Sequence, residues 1–559
     1  MPPLPDPVPP RIVLCTLNAR FVHASLGMRY LLANMGPLRA QTALREFTIA
    51  RQPADMAREL LGLLGPADAR GPQVVGFGVY IWNVAQTTAV LRELRALRPA
   101  IRIVLGGPEV SHELDTQEIV QLADHVITGW GDLSFPRLCQ ALLHGPRPLM
   151  KVIAGEQPPL AQLALPYDEY TDADLAHRVV YVEASRGCPF KCAFCLSALD
   201  KTAWAFDLPR FLGALEGLHR RGARNFKFVD RTFNLKLDAA LQILQFFLDR
   251  LPASADGADG DRLFVHFEVI PDHLPERLKQ RIALFPPGVL QFEVGVQTFD
   301  ADVQRRIARV QDTTRTEANL RWLVSQSQAH VHADLIFGLP GESMATFGQG
   351  FDRLLALGPH EIQLGVLKRL RGTPLASMDM PGAGLVFDPQ APYAVLETAD
   401  VSADELRRFG RLARYWDLVG NSGRFRRTLP VLLQTAGPGN GAQASAFGVL
   451  LRLTDWLWAR TGLTHRLTPE QLVDHLADFM QTELGLAPDL VAQVLLADYL
   501  ASGARARPQT LRGRLPPGAT PVQGVAKASL PRQTQHLADL APWAAAPAPM
   551  PSEQGENRL

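Results

Sequence analysis

The chain has 559 residues, too many for one ordinary hydrophobic core, so two to four domains are expected. Apolar residues make up 47% and charged residues 20%, as in soluble proteins, and a net charge of +1 creates no overall field toward nucleic acid or membranes. No run reaches about 18 uninterrupted apolar residues, which argues against a transmembrane helix. The 5 cysteines include a cluster of three, which excludes a disulfide framework and indicates a reducing, cytoplasmic location with one metal or redox site.

The first part of the chain alternates between strand-like and helix-like segments. Residues 1–10 are proline-rich without an apolar segment and are predicted to be a disordered leader. Within 11–145 five strand candidates are separated by helical segments: RIVLCTL, REFTIA, VVGFGVYI, IRIVLGG and HVIT. This alternation predicts a doubly wound, Rossmann-like parallel sheet, whose ligands bind where the strands end. Residues 146–177 are proline-rich and irregular and are interpreted as a linker.

The alternation resumes over 178–385, with six strand candidates: VVYVEA, NFKFVD, FVHFEVI, LQFEVGVQ, VHADLIFGL and EIQLGVL. Six βα units predict a partial barrel with its site at the carboxyl ends of the strands. In 386–502 the strand signal fades, and capping boxes at Ser402 and Thr468 predict a small helical domain. Residues 503–559 lack periodicity and are predicted to be disordered. The predicted fold class is therefore α/β with a C-terminal α-helical domain.

The segment RGCPFKCAFC, residues 186–195, concentrates three cysteines in the pattern C-x3-C-x2-C. Structural zinc needs four ligands, usually in two pairs, and no second pair follows Cys188, Cys192 and Cys195. Iron–sulfur clusters also bind cysteine thiolates, normally four. Three thiolates on a four-iron cluster leave one iron open to bind a substrate or cofactor. Chance cysteines in a loop are the alternative, which is disfavoured because the rest of the chain holds only Cys15 and Cys139, both in apolar contexts.

This motif, placed after the first strand of a six-unit βα barrel, resembles the radical S-adenosylmethionine (SAM) superfamily. The resemblance implies a [4Fe-4S] cluster held by the three cysteines, with SAM chelated at the open iron. It implies reductive cleavage of SAM to a 5′-deoxyadenosyl radical that abstracts hydrogen, with electrons from an external donor such as flavodoxin or ferredoxin. The resemblance is closest to the coproporphyrinogen-dehydrogenase-like and methylthiotransferase-like branch.

That branch takes its SAM contacts from strand ends in a set order, which implies roles for four residues. Glu268 in HFEVIPD and Asp334 in HADLIFGLPGE would accept from the ribose hydroxyls. Gln297 in EVGVQTF would contact ribose or methionine, and Arg309 in RIARVQD would bind the SAM carboxylate. Taken singly, a carboxylate at a strand end is often a turn or cap residue, and a lone arginine is often on the surface. Four such residues in the expected order favour a SAM site.

Four further residues are assigned to the same cofactor. Phe194, beside the last cysteine, is expected to pack on adenine, although an isolated aromatic is equally compatible with a core position. Gly338 would allow close approach to adenine. Asp230 and Asn234, in FKFVDRTFN, are placed in a polar loop at the mouth near the amino group of SAM. The alternative for this pair is a loop held by Asx-type side-chain bonds.

A doubly wound domain before such a barrel resembles the cobalamin-binding subclass, whose sheets carry the phrases D-x-H-x-x-G, S-x-L and G-G. Here NARFVHASLG contains His23 without the Asp or the Gly spacing, and GVY replaces S-x-L. VLGGPEVS keeps Gly106 and Gly107, and GWGD resembles the closing G-x-G-E phrase. The resemblance implies cobalamin whose cobalt is not bound by histidine in the usual way. Tyr80 and Trp82, in VYIWN, are candidates to face the corrin or to line the domain interface.

Together these features predict a radical SAM enzyme, with cobalamin-dependent methyl transfer to an unactivated carbon of an unknown small molecule as the leading hypothesis. One alternative is a ring-forming or rearranging radical SAM reaction without methyl transfer. Another is a cobalamin- or cluster-binding sensor, which would not need the SAM-contact residues. Residues 386–502 resemble the uncharacterised C-terminal domain that accompanies some cobalamin-type radical SAM proteins. Neither nucleic acid nor a membrane is an expected partner, since the chain has no added basic domain.

Overall fold

The computed structural model describes residues 9–67, 71–252, 262–377, 382–434, 445–502 and 507–515. The segments predicted as a leader and a tail therefore lie mostly outside the described residues. The chain divides into two compact units. The first comprises Met1–Phe285, Val289–Gly350 and Leu364–Arg407, and the second comprises Pro286–Gly288, Phe351–Gln363 and Arg408–Leu559.

The first unit begins with a six-stranded parallel sheet in the order β2-β1-β3-β4-β5-β6. Its strands are β1 (Ile12–Asn18), β2 (Thr42–Thr48), β3 (Val74–Gly78), β4 (Arg102–Gly106), β5 (His125–Thr128) and β6 (Val152–Ala154). The helices between them are α1 (Leu26–Ala33), α2 (Pro53–Leu64), α3 (Val84–Leu97), α4 (Glu118–Leu122) and α5 (Ser134–His144). Alternate residues of β1 belong to different apolar cores, Val13 to one and Leu14 to the other. Both faces of the sheet are therefore covered, which explains why β1 is apolar throughout.

The sheet contains one more strand than the sequence predicts. The segment 146–177, interpreted as an irregular linker, contributes β6, which pairs in parallel with β5 through Val126 and Val152. It also contains α6 (Asp172–His177), which begins with a capping box at Thr171. A strand of three residues is too short to show periodicity. β6 forms because β5 would otherwise present unpaired backbone groups at the sheet edge.

A second sheet has the order β14-β13-β12-β11-β10-β7. Its strands are β7 (Val180–Val182), β10 (Asn225–Phe228), β11 (Phe264–Val269), β12 (Leu290–Gln297), β13 (His330–Phe337) and β14 (Glu361–Val366). A two-stranded hairpin, β8 (Ser185–Arg186) with β9 (Trp204–Ala205), follows β7. The helices of this region are α7 (Leu208–Arg220), α8 (Leu237–Leu248), α9 (Glu276–Ile282), α10 (Ala301–Arg306), α11 (Thr313–Gln326) and α12 (Met344–Leu355). Strand order follows chain order, as six successive βα units require, and the predicted α/β fold class is confirmed.

The remaining elements are short strands and the C-terminal helices. They are α13 (Pro374–Ser377), β15 (Val386–Phe387), β16 (Val395–Glu397), α14 (Ala403–Val419), α15 (Thr428–Gln434), α16 (Ala446–Thr461), α17 (Pro469–Thr482) and α18 (Pro488–Ala501). Both predicted capping boxes are present. Ser402 exchanges bonds with Glu405, and Thr468 exchanges bonds with Gln471. No described helix combines the length and the apolar character needed to span a membrane.

Part of the segment predicted as a disordered tail is ordered. Within the second unit, residues 507–515 form a short helical turn whose Leu511 is fully buried in the helical core. The backbone N–H groups of Gln509 and Thr510 donate to the Asp474 carboxylate on α17. The prediction was wrong here because one apolar residue and one capping carboxylate, distant in sequence, are enough to order a short segment.

Candidate cofactor and active site

The three clustered cysteines lie on one loop that the hairpin of β8 and β9 closes. Cys188 and Cys192 are 8% and 7% exposed, and Cys195 is half-buried. The middle of the loop is held by backbone bonds on both sides: the N–H of Ala193 donates to Ile307 O (2.8 Å), and its carbonyl accepts from Leu375 N (2.9 Å). These bonds use no cysteine side chain, so all three thiols remain available as ligands.

The donor set of this loop fits a four-iron cluster. In the described part of the chain, no three His, Cys, Asp or Glu side chains converge on one ion position. A [4Fe-4S] cluster makes no such demand, because each thiolate binds a different iron atom. Burial raises the pKa of the Cys188 thiol, and coordination to iron would hold it as the thiolate. Three thiols on one loop would thus leave the fourth iron without a protein sulfur.

Arg309 lies beside this loop, as a residue that binds the SAM carboxylate would have to. Its Nη1 is 3.5 Å from Cys192 Sγ, its Nη2 donates to the carbonyl of Gly295 on β12, and its Nε donates to Gln311 Oε1 at 2.9 Å. The guanidinium is thereby fixed between the cysteine loop and a strand end. The role of Arg309 toward SAM stays a prediction, and its position beside the cysteine loop is compatible with that role.

Gln297 and Asp334 present buried oxygens without hydrogen-bond partners among the described residues. Gln297 ends β12 with φ of 68°, a left-handed conformation that is rare for a residue with a side chain, at a register shift relative to β13. Such local strain is typical of functional positions. Asp334 is paired in register with Gly295, and its Oδ1 lies 3.2 Å from His332 Nε2 without hydrogen-bond alignment. Buried oxygens without a hydrogen-bond partner on the neighbouring strands β12 and β13 fit the hydroxyl donors of a ribose.

We expect Gln297→Ala to weaken SAM binding about two- to tenfold, because one neutral hydrogen bond to the ligand is lost. Equilibrium titration of SAM into the cluster-loaded protein measures the effect. Gln245→Ala, on α8, is the matched control, since the Gln245 side chain donates to Asp249 at the end of the same helix. Equal affinity in the two variants would remove Gln297 from the SAM site.

Glu268, the other predicted ribose acceptor, is already engaged. Both of its oxygens accept from Arg231 Nη1, at 2.6 and 2.8 Å. The pair occupies the edge of the barrel mouth, and burial raises the pKa of Glu268 despite the neighbouring guanidinium. A contact from Glu268 to SAM stays a prediction, and it would require the carboxylate to be shared with Arg231.

Asp230 and Asn234, also predicted near SAM, are occupied by loop bonds. Asp230 accepts from Ala184 N (3.0 Å) and Ser185 Oγ (2.6 Å), and burial raises its pKa to about 7. Asn234 is fully buried, and its amide both donates to and accepts from the backbone of Ile270. These bonds are long-range and not of the local Asx type, and they connect the polar loop to neighbouring segments around the mouth. The contacts of both residues to SAM stay predictions.

The structure says less about the two residues predicted to lie near adenine, Phe194 and Gly338. Phe194 is half-buried beside Cys195, which is compatible with packing on adenine. Gly338 has φ of 86°, and a Cβ there would lie 2.6 Å from Val395 Cγ1. Packing against Val395 and the backbone conformation therefore already require glycine at this position. The roles of both residues toward adenine stay predictions.

Sequence reasoning missed a row of polar residues between Glu268 and Asp334 on the same face of the second sheet. Glu293 Oε2 accepts from His266 Nε2 at 3.0 Å and lies 3.5 Å from Lys227 Nζ. Burial opposes ionisation of Glu293, but His266 and Lys227 hold its pKa well below the usual range. The available signal was the two-residue alternation within FVHFEVI and LQFEVGVQ, which places these side chains on the face that also bears Glu268.

A cavity of about 440 Å³ lies at the carboxyl ends of the first sheet, where a doubly wound fold binds its ligand. Gly76, Gly78, Gly106 and Gly107 line it together with Tyr80. A Cβ at Gly106 would meet only Ile127 O, at 3.7 Å, and would project into the cavity. At Gly107, with φ of 108°, a Cβ would lie 2.5 Å from Val79 O. Gly106 thus leaves open space in a glycine cradle at the strand ends, and close packing accounts for Gly107. The contacts of both glycines to cobalamin stay predictions.

The aromatic residues and the histidine predicted near this site differ in placement. Tyr80 lines the cavity, and Trp82 stacks on it with a ring separation of 4.3 Å but is 48% exposed and outside the lining. His23 Nδ1 lies 2.7 Å from the hydroxyl of Tyr181, also outside the lining. No histidine lies among the cavity residues that the structure describes, in keeping with the broken histidine phrase.

The cavity wall also contains residues that sequence reasoning left unassigned. The second sheet and the cysteine loop supply Glu183, Ser185, Arg186, Gly187, Ser197, Asp200 and Arg231, and the first sheet supplies Tyr30, Trp130 and Asp132. The cavity and the cysteine loop therefore share one wall. Two sequence features mark this wall, the GWGD phrase and the Arg-Gly pair before the first cysteine. Neither feature shows by itself which residues it contacts.

Three family models match successive parts of the chain: the B12 binding domain over 14–139, the radical SAM superfamily over 182–354, and a protein of unknown function, DUF4080, over 383–529. The chain carries a B12-binding domain followed by a radical SAM domain. The predicted resemblance to cobalamin-binding radical SAM proteins is confirmed. The radical SAM domain corresponds to the predicted cluster and SAM, and the B12-binding domain corresponds to the predicted cobalamin. The glycine cradle lies in the B12-binding domain, and the cysteine loop lies in the radical SAM domain.

Relatives of this radical SAM chain include an uncharacterized methyltransferase of Pyrococcus horikoshii, 30% identical over 208 residues that cover 32% of this chain and 44% of that protein. A 2-(S-pantetheinyl)-carbapenam-3-carboxylate methyltransferase of Streptantibioticus cattleyicolor is 24% identical over 59% of this chain and 53% of its own length. The chain thus spans about half the length of these relatives. The structure of TsrM from Kitasatospora setae, with cobalamin and a [4Fe-4S] cluster bound, covers 80% of this chain and 99% of that one with 17% identity and a TM-score of 0.53, which shows a shared fold.

Proposed function

We propose that this protein is a cobalamin-dependent radical SAM methyltransferase that acts on an unactivated carbon of a small molecule. The observation that carries the proposal is the shared wall between the cysteine loop and the glycine-lined cavity. One substrate carbon held at this wall would be accessible from both sites. Several relatives are named methyltransferases, among them a cobalamin-dependent radical SAM methyltransferase, which supports the same conclusion.

The position of each site residue suggests its role toward the cofactors. Cys188, Cys192 and Cys195 would hold the cluster, and Arg309 would orient the SAM carboxylate beside it. Gln297 and Asp334 would accept from the ribose hydroxyls, as described for their unsatisfied oxygens. When bound, SAM and the cluster supply a radical that abstracts hydrogen, and cobalamin supplies the methyl group. The protein positions the reactants and excludes water and oxidants.

The test needs no knowledge of the substrate, because the cofactors react with each other. We expect the anaerobically reconstituted protein, with hydroxocobalamin, dithionite and methyl-labelled SAM, to form labelled methylcobalamin and S-adenosylhomocysteine, together with 5′-deoxyadenosine. Chromatography with mass detection measures all three products.

The pattern of products separates the candidate reactions. Formation of 5′-deoxyadenosine without methylcobalamin would favour a ring-forming or rearranging radical SAM enzyme. Bound cobalamin and cluster with no SAM-derived product would contradict enzymatic function and favour a sensor. Omission of dithionite is the control for the external electron donor, since reductive cleavage of SAM requires one.

A further inference from the structure

Arg186 joins the cysteine loop to the first sheet through a two-pronged ion pair. Its Nη1 and Nη2 donate to the two carboxylate oxygens of Asp132 at 2.9 and 3.1 Å. The side chains of Arg186 and Asp132 are only 15% and 8% exposed. A planar, bidentate and buried pair resists both rotation and sliding, so it holds the two elements at one separation.

Further contacts of Arg186 restrain its guanidinium in one position. Its Nε donates to Glu183 Oε1 at 2.7 Å, and its guanidinium lies 4.3 Å from the ring centre of Tyr30 and 4.9 Å from that of Trp130. Tyr30 and Trp130 both belong to the first sheet's side of the cavity wall. The arginine is therefore clamped by two carboxylates and two aromatic faces.

The position of Arg186 in the chain connects this clamp to the cluster ligands. Arg186 pairs with Trp204 in the hairpin that closes the cysteine loop. Gly187 follows with φ of 83°, and a Cβ there would clash with Thr202 O. The chain thus turns sharply and reaches Cys188 two residues after the clamp. A shift of the guanidinium would be passed to the first cluster ligand through one tight turn.

The clamp also presents a phenol hydroxyl at the cavity. The hydroxyl of Tyr30, in a side chain that is almost fully buried, faces the Glu183 carboxylate and has no other polar partner among the described residues. Tyr30 lines the cavity together with Asp132, Glu183 and Arg186. A ligand that fills the cavity and bonds to Tyr30 would therefore contact the same side chains that hold Arg186.

We propose that Arg186 is a positioning residue that couples the two cofactor sites, so that cobalamin in the cavity and the cluster on the cysteine loop each bind more tightly when the other is present. The inference rests on the proposed function, since it assumes both cofactors. By thermodynamic linkage, the cluster must change the affinity for cobalamin by the same factor by which cobalamin changes the affinity for the cluster.

The coupling is measured with hydroxocobalamin as the probe. Its Kd is determined anaerobically for the full chain with and without the reconstituted cluster, and the ratio of the two Kd values is the coupling factor. We expect a factor of at least about 5 in the wild type, within the usual range for coupled sites. As an independent readout, bound cobalamin should slow the release of cluster iron to a chelator.

Asp132→Asn and Arg186→Lys test the clamp. We expect both variants to bind cobalamin and cluster with a coupling factor near 1, because neither keeps the charged two-pronged pair. A merely structural role would weaken cobalamin binding equally with and without cluster and leave the factor unchanged. Glu109→Gln is the matched control: Glu109 forms a comparably buried pair with Arg371 at 2.9 Å, also between the first sheet and the segment after the second, but neither residue lines the cavity.

The outcomes separate this inference from the proposed function. A wild-type factor of 1 with both cofactors bound overturns the coupling and leaves the methyltransferase proposal standing. A factor that survives in both clamp variants, or that is also lost in Glu109→Gln, shows that Arg186 is not the coupling residue. A wild type that binds no cobalamin in either form overturns both proposals. A wild-type factor of 1 overturns the coupling even if a variant fails to fold, and two clamp variants are compared so that one folded variant suffices to test Arg186.

Discussion

The largest effect that we expect is that of Cys192→Ala, which should abolish the brown chromophore of the reconstituted protein and reduce SAM cleavage to the uncatalysed background. The loop would keep only Cys188 and Cys195, and two thiolates are too few to retain a cluster whose fourth iron has no protein ligand. Loss of one buried thiol should lower the free energy of unfolding by only about 1 kcal/mol, so the variant remains folded. Absorption spectra, iron content and 5′-deoxyadenosine formation measure the result.

Cys139→Ala is the control for that experiment. Cys139 is fully buried in the apolar core beside the first sheet and lies on α5, away from the cysteine loop. Its burial raises the pKa of the thiol far above the usual value, so it is a poor ligand for iron. This variant should reconstitute with wild-type iron content. A Cys192→Ala protein with wild-type iron content and SAM cleavage would contradict the assignment of the cluster to this loop.

Gly106→Leu should raise the Kd of hydroxocobalamin about a hundredfold or more, equivalent to about 2.7 kcal/mol. The physical reason is steric, since the new side chain would occupy the cradle, where a Cβ at Gly106 meets no atom closer than 3.7 Å. The same open space means that the substitution need not disturb the fold. Cluster formation in the absence of cobalamin should be unaffected, because Ile127 O is the only atom within 4 Å of a Cβ at Gly106 among the described residues.

Gly62→Leu is the matched control, because Gly62 lies on α2 with no atom within 4 Å of its Cβ position and outside the cavity lining. Optical titration under anaerobic conditions measures cobalamin affinity for both variants, and thermal melting confirms that both are folded. Wild-type affinity in Gly106→Leu would show that cobalamin binds elsewhere or not at all.

These two expected effects differ in how far the sequence predicts them. The C-x3-C-x2-C spacing of the loop and the adjacent glycines after β4 are local patterns, and the structure places both at strand ends as the alternation of apolar segments implies. The roles of individual polar residues are harder to predict. Glu268 and Asp334 stand in equivalent sequence phrases, yet the first is engaged by Arg231 and the second has an unsatisfied oxygen. Each outcome depends on a neighbouring strand or loop.

The same dependence on tertiary contacts applies to the predicted loop residues and to β6. Asp230 and Asn234 stand in a polar loop at the barrel mouth, where the sequence suggests ligand contacts, but backbone groups of other loops take up their hydrogen bonds. β6 exists because the edge of β5 offers it a partner, although its three residues carry no periodic signal. Short segments and single polar side chains obtain their roles from contacts that no local pattern records.

By itself, the sequence determined the cofactor chemistry and the order of the domains. Thiol spacing, glycine pairs and the periodicity of apolar residues act over a few neighbouring residues, so they can be identified without knowing the fold. Only the tertiary structure decided that the glycine-lined cavity and the cysteine loop share a wall, and that Arg186 spans it. Arg186 and Asp132 are 54 residues apart in the chain, and their ion pair exists only because the two sheets bring the ends of β5 and β7 together.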